Sequence, residues 1–147
     1  MVESGDNMFM GEYHHNLDEK GRIVIPSKFR NLLGSDFIIT KGIEKCLYVY
    51  SADAWQEIVN KLKTLSFTKK DTRAMMRSFF ANAILGVTDK QGRVMISSSL
   101  ISYANLDTEC VVIGVNDHAE IWNLKDYANE MHETEEHLED ITENLLE

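Results

Sequence analysis

Polar and apolar positions fall into short blocks along this chain. The first sharp boundary is Asp18-Glu19-Lys20-Gly21-Arg22, a polar stretch that ends where Ile23-Val24-Ile25 begins. The glycine supplies the positive φ of a tight hairpin turn, and the apolar run after it reads as a strand of buried type. Pro26 and Ser27 then open a short helix with Phe29, Leu32 and Leu33 as its apolar stripe and Gly34 as its end. Two more strands, 37–40 and 47–50, flank the segment Lys41-Gly42-Ile43-Glu44-Lys45-Cys46. Here the period changes. Ser51 as a cap, followed by Trp55, Ile58, Val59 and Leu62 at spacings of three and four, predicts a helix with one apolar face. Thr68 and Asp71 form a capping-box-like pair before a second helix, whose Met75, Met76, Phe79 and Phe80 read as core.

The same order of blocks then returns. Asp18 to Ser27 recurs as Asp-Lys-Gln-Gly-Arg-Val-Met-Ile-Ser-Ser, Asp89 to Ser98, so that Gly21, Arg22, Ile25 and Ser27 meet Gly92, Arg93, Ile96 and Ser98. The match continues downstream, with Gly42 on Gly114, Val49 on Ile121, Tyr50 on Trp122 and Trp55 on Tyr127, and upstream, with Phe9 on Phe80. A unit of roughly 50 to 60 residues is thus repeated once, with helical sequence inserted between the copies. In the second copy Val94-Met95-Ile96 is the strand of buried type, Ser97 or Ser98 caps a helix carrying Leu100, Ile101 and Tyr103, and Asn105 takes the left-handed ending conformation. Strands at 111–115 and 119–122 flank Asn116-Asp117-His118. The chain closes on a helix whose Met131, Leu138, Ile141 and Leu145 make a narrow apolar seam interrupted by Thr134. A coiled coil of about two to three heptads is marginal alone, so this seam is expected to dock on the body or on a neighbouring subunit.

At 147 residues with 44% apolar side chains, the chain has the size and the core of one ordinary domain, which excludes disorder over most of its length. No run of about 18 apolar residues and no basic-then-apolar N-terminal segment is present, so neither a spanning helix nor a signal peptide is expected and the cytoplasm is the default location. Cys46 and Cys110 lack metal or redox spacing and read as small buried apolar residues. The net charge of −9 is hostile to nucleic acid only as a total. From Asp126 onward there are nine acids and no Lys or Arg, which leaves fifteen acids against fifteen bases in residues 1–125. Because exposed charges are screened beyond roughly 10 Å, a distant acidic helix does not cancel a local basic face.

The doubled Asp-x-x-Gly-Arg segment carries the most chemistry. Asp18 and Asp89 are placed to accept backbone N–H bonds and structure their turns together with Gly21 and Gly92. Arg22 and Arg93 open the strands that follow, where a guanidinium fork can take a phosphate or the O6/N7 edge of guanine. The competing reading is an Asp18–Arg22 or Asp89–Arg93 ion pair that only braces each turn, worth about 0 to 1 kcal/mol at a surface. Lys20, Lys28, Arg30 and Lys90 lie close by in sequence and would widen a basic face, whereas Lys69, Lys70, Arg73 and Arg77 read as a solvated helix face. His14 and His15, adjacent on a strand, point to opposite faces and make a poor metal pair. An enzyme finds no support: there is no nucleophile elbow or glycine-rich phosphate loop, His118 lacks a nucleophile by motif, and Gly34-Ser35 is explained by a helix end.

Met8-Phe9-Met10-Gly11-Glu12-Tyr13, followed by the two Asp-x-x-x-Arg motifs at this spacing, resembles the MraZ family of bacterial regulators, encoded beside division and cell-wall genes, over about residues 8–130. The resemblance implies an α+β fold of two AbrB-like swapped-hairpin repeats forming a β-barrel, at 8–51 and 80–125, with a helical insert at 52–79 and an acidic C-terminal helix at 126–147. It also implies a transcriptional regulator that binds repeated promoter boxes in double-stranded DNA as a ring-shaped homo-oligomer, at the nucleoid, without metal or cofactor. Arg22, Arg93, Lys20, Lys28, Arg30 and Lys90 are then the DNA-binding residues. Two departures stand out: residues 1–7 precede the usual start and read as an upstream start or an added segment, and Ile96-Ser97 replaces an apolar residue followed by proline. The rival reading is an antitoxin-like or scaffold protein that grips a protein partner.

Overall fold

A computed structural model describes residues 8–146; the expectation for residues 1–7 lies outside it. The described residues form β1 (Glu12–Asn16), β2 (Arg22–Val24), α1 (Ser27–Leu33), β3 (Phe37–Lys41), β4 (Leu47–Ser51), α2 (Ala52–Leu62), α3 (Lys70–Ala81), β5 (Ile84–Gly86), β6 (Arg93–Met95), α4 (Ser98–Tyr103), β7 (Glu109–Gly114), β8 (Ala119–Asn123) and α5 (Leu124–Leu146). The fold is α+β with antiparallel pairing in a six-stranded sheet, β1-β7-β8-β4-β3-β5, and a two-stranded ribbon, β2-β6. Exchanging one repeat for the other turns β1 into β5, β3 into β7 and β4 into β8, so the sheet order reads the same from either end. The first strand of each repeat pairs with the third strand of the other, and the ribbon takes one strand from each. Neither repeat completes its own sheet, which is the swapped arrangement. Among the described residues β1 and β5 end the sheet without pairing to each other, so the strand ladder itself is not closed into a barrel.

One core joins the ribbon, α1 and α4 to one face of the sheet. Ile23 and Val94 from the ribbon, Phe29 and Leu100 from the helices, and Ile39, Val49, Val112 and Ile121 from the sheet are all essentially inaccessible. Phe29 is gripped edge-on by Tyr13 at 5.2 Å between ring centroids and tilted against Phe9 at the same separation. Burying such a ring is worth about 1.5 to 3 kcal/mol. The opposite face of the sheet carries Val111 and Trp122 under Leu124 and Tyr127 of α5. β7 is therefore buried on both faces, which is why Cys110, Val111 and Val112 form a continuous apolar run. Both cysteines are free and buried as expected, and burial pushes their thiols up, Cys110 to about 11.

Several local expectations change. The Asp18–Arg22 turn does not close a hairpin, because β1 pairs with β7 and β2 with β6; it hands the chain from sheet to ribbon. Residues 94–96 alternate instead of being buried throughout: Val94 and Ile96 face the core and Met95 is 58% exposed. α1 starts after Pro26 with no side-chain cap, while Ser51 and Ser97 do cap α2 and α4 by accepting from Ala54 N and Leu100 N. Thr68 and Asp71 do not cap α3; Arg73 Nη1 instead donates to the carbonyls of Phe67 and Thr68. Neither α2 nor α3 buries a residue fully, so Met75, Met76, Phe79 and Phe80 are not core. They lie on the outside of the β3–β4 hairpin, where Trp55 stacks on Phe79 at 5.1 Å and buried Thr40 donates to the Phe79 carbonyl. Finally, α5 runs unbroken through Thr134, whose hydroxyl is absorbed by the Glu130 carbonyl, and every described residue beyond it is exposed. The distal seam does not dock on its own body.

Candidate nucleic-acid interface

The ribbon forms an outward-facing plate. Its register sets Arg22 opposite Met95, Ile23 opposite Val94 and Val24 opposite Arg93. With Ile23 and Val94 in the core, strand alternation puts Arg22, Val24, Arg93 and Met95 together on the outer face. The two arginines lie diagonally across it, two residues apart along the strands and one strand spacing across, about 8 Å between Cα atoms. Exposed Met95 lies directly opposite Arg22 and two residues from Arg93 along the same strand. Strand alternation around Gly92 and the alignment of Met95 with Val24 are the sequence signals that could have marked it as a surface residue.

The turns hold the arginines in a fixed pose. Asp18 Oδ1 accepts from the backbone N of Lys20 at 3.0 Å and of Arg22 at 2.8 Å, and its Oδ2 accepts from Arg22 Nε at 2.7 Å. Asp89 repeats this with Gln91 N, Arg93 N and Arg93 Nε at 2.9, 2.9 and 2.8 Å. Gly21 and Gly92 both adopt φ +79°, a conformation that favours glycine, and each donates its N–H back to the aspartate carbonyl. The N–H of Arg22, above all, holds the Asp18 carboxyl below its ordinary value of 3.8; burial opposes this and the guanidinium adds to it, and Asp89 responds to Arg93 in the same way. The aspartate takes only Nε. Among the described residues, both Nη groups of each arginine carry no hydrogen bond, and each arginine side chain is about a quarter exposed. Each fork is thus aimed by its carboxylate and left with two nitrogens for a ligand.

The remaining predicted bases divide unequally between the turns. Lys20 is exposed on the first turn beside Glu19, and Lys90 is exposed on the second. Lys28 and Arg30, on α1 of the first repeat, line a surface depression together with Gln91 of the second turn. Arg30 Nη1 donates to the Ile25 carbonyl and occupies the space that a Cβ on Gly92 would need. Its counterpart in the second repeat is Ile101, whose methyl lies against Gly21. One turn therefore rests on a guanidinium and the other on a hydrocarbon. Arg30 acts as a support for the second turn, a role not read from its position in sequence.

The sequence matches the family described as "MraZ protein, putative antitoxin-like" twice, over residues 8–78 and 79–147. The chain belongs to the MraZ family. Both MraZ matches carry one Asp-x-x-Gly-Arg turn, so the duplicated geometry of the ribbon and the duplicated match coincide. The other candidates do not join this site. In this MraZ chain His14 is exposed and pairs with Glu12, while His15 is half-buried, which lowers its pKa. His118 is held between Tyr48 and Tyr50 with Nδ1 2.7 Å from Asp117. Burial alone would lower its pKa, but Glu120 and Asp117 outweigh it and the net shift is upward. Gly34 ends α1 at φ +75°, its N–H donating to Arg30 O. No group of three or more metal-binding side chains, and no helix long and apolar enough to cross a membrane, occurs among the described residues.

Proposed function

We propose that this chain is a sequence-specific DNA-binding transcriptional regulator that acts as a homo-oligomer, in the form of a ring, on repeated boxes in double-stranded DNA. The observation that carries the reading is the outer face of the ribbon, where two arginine forks, each oriented by an aspartate, share one small plate with an exposed methionine. A two-stranded β-ribbon is one of the elements the major groove admits. The forks match the O6/N7 edge of guanine or a phosphate, and an exposed apolar side chain beside them suits the methyl group of thymine. Lys20, Lys28 and Lys90 supply phosphate contacts around this centre, and Arg30 keeps the second turn in place.

A mobility-shift titration at two salt concentrations, with DNA from upstream of the protein's own gene, tests the proposal. Binding that is box-dependent and weakens steeply with salt is expected, because each neutralised phosphate releases counterions. The second reading, a protein-binding antitoxin-like or scaffold role, draws support from the family description and from the apolar surface of α2 and α3. Absence of box-dependent binding at low salt would favour it.

A further inference from the structure

A cleft of ≈ 490 Å³ opens between α2, α3 and the turn after β3, lined mainly by Ile43, Ile58, Leu62, Met75, Phe79 and Tyr103. Ile43, at the tip of that turn, is 87% exposed. Lys41 and Lys45 both place their ammonium groups over the Tyr103 ring, at 4.8 and 5.0 Å, so one end of the cleft is cationic. The two helices and their loop, residues 52–81, hold six Lys and Arg against three acids. An apolar cleft with a cationic end, on a helix pair with an excess of bases, marks a site for a partner that is apolar on one side and acidic on the other.

The same chain carries such an element. Residues 135–146 of α5 extend about 18 Å past the last residue that is not exposed. Leu138, Ile141 and Leu145 occupy i, i+3 and i+7, the anchor spacing of helix-in-groove recognition, and are 50%, 39% and 80% exposed. No Lys or Arg occurs from Asp126 onward. Because the helix is continuous from Leu124, its distal half points away from its own body, and only another molecule can cover it. Pairing with the same helix of a second copy would bring the eight acids of α5 against another eight, with Lys125 at the far end as the one base of each helix. From this we infer that the distal half of α5 docks into the α2–α3 cleft of a second copy of the chain, the leucines and isoleucine entering the apolar floor and the acids meeting the cationic end formed by Lys41 and Lys45. The inference rests on the assembly part of the proposed function, and it names the surfaces that make the assembly.

Sedimentation velocity of the full chain tests it with substitutions at exposed positions on each side. Ile43→Glu, and separately Leu138→Glu with Ile141→Glu, should each weaken self-association about tenfold or more, the effect of a charge placed at the apolar centre of an interface. Near-ultraviolet dichroism should match the parent, and Met75→Glu provides a second cleft variant. Mixing the cleft variant with the tail variant should restore a one-to-one pair, since one intact cleft then meets one intact tail. A tail variant that dissociates while both cleft variants assemble normally would overturn the inference in favour of tail-to-tail pairing. Unchanged assembly in all variants would overturn it in favour of a foreign partner for the cleft. Binding of a single DNA box by the same samples is scored separately: its absence in the parent defeats the regulator reading and leaves the sedimentation result to stand alone.

Discussion

At the level of single residues, the two readings of Asp-x-x-Gly-Arg prove compatible. The ion pair exists in both turns, yet it uses only Nε and leaves the Nη edge of each guanidinium outward. A solvent-screened pair of this kind contributes little stability, so its effect is on the direction of the fork. Arg22→Ala and Arg93→Ala should each cost about 1 to 3 kcal/mol of operator binding for every base edge the fork no longer reads, with the unfolding midpoint nearly unchanged. A folded double variant that binds its operator like the parent would refute the assignment. The aspartates give a pH signature. Both titrate below their ordinary value of 3.8, so the unfolded chain takes up protons first as the solution is acidified. Their contribution to stability is therefore in place above pH 3.8 and is lost as the pH falls through the depressed folded values. Denaturant unfolding between about pH 3 and pH 6 should show a shallower acid loss for the Asp18→Asn/Asp89→Asn protein than for the parent.

Among the elements, what could be read in sequence was whatever depended on local chemistry or on the repeat itself. Gly21, Gly92, Ser51 and Asn105 do what their residue types require, Asn105 at φ +53°, because turns and caps are set by a few neighbouring backbone groups. The partners of each strand were not legible from periodicity: alternation says that Ile23 is covered, not that its cross-strand neighbour is Val94 of the other repeat. For the same reason the stripe on α3 shows that Phe79 and Phe80 are covered by something, while the half-buried positions found there leave an open apolar face. Arg30 shows a third limit, since its place in the sequence beside the proposed DNA-contacting turn does not reveal that its guanidinium donates to the Ile25 carbonyl. Setting it beside Ile101 through the repeat would have exposed the asymmetry. Arg30→Ala should lower stability by about 1 to 2 kcal/mol through loss of a charge-assisted hydrogen bond. Lys28→Ala and Lys90→Ala should leave stability alone and reduce the salt slope of DNA binding by about one each. An Arg30→Ala protein of parental stability with a reduced slope would return Arg30 to the set of phosphate ligands.

On the proposed reading the whole molecule would offer DNA only a small plate, four outward side chains on a ribbon of three-residue strands. Such a footprint gives weak binding alone, and selectivity has to come from several plates engaging several boxes at once. When subunits are joined in one assembly, the second plate engages at an effective concentration set by geometry, which adds about 10² to 10⁴ in avidity if the boxes match the subunit spacing. That gain depends on helical phase as well as distance, since half a turn of the duplex, about five base pairs, carries a box to the opposite side. Inserting five base pairs between two boxes should therefore cut affinity sharply, and inserting about ten should restore much of it. The assembly enters as a control with a definite sign: Leu138→Glu with Ile141→Glu, which removes the docking seam but leaves the ribbon untouched, should bind a single box as the parent does and respond little to the spacer. Competition titrations over the spacer series read both quantities. Equal affinity across all spacers in the parent would mean that each ribbon binds independently, and the array would then contribute nothing to recognition.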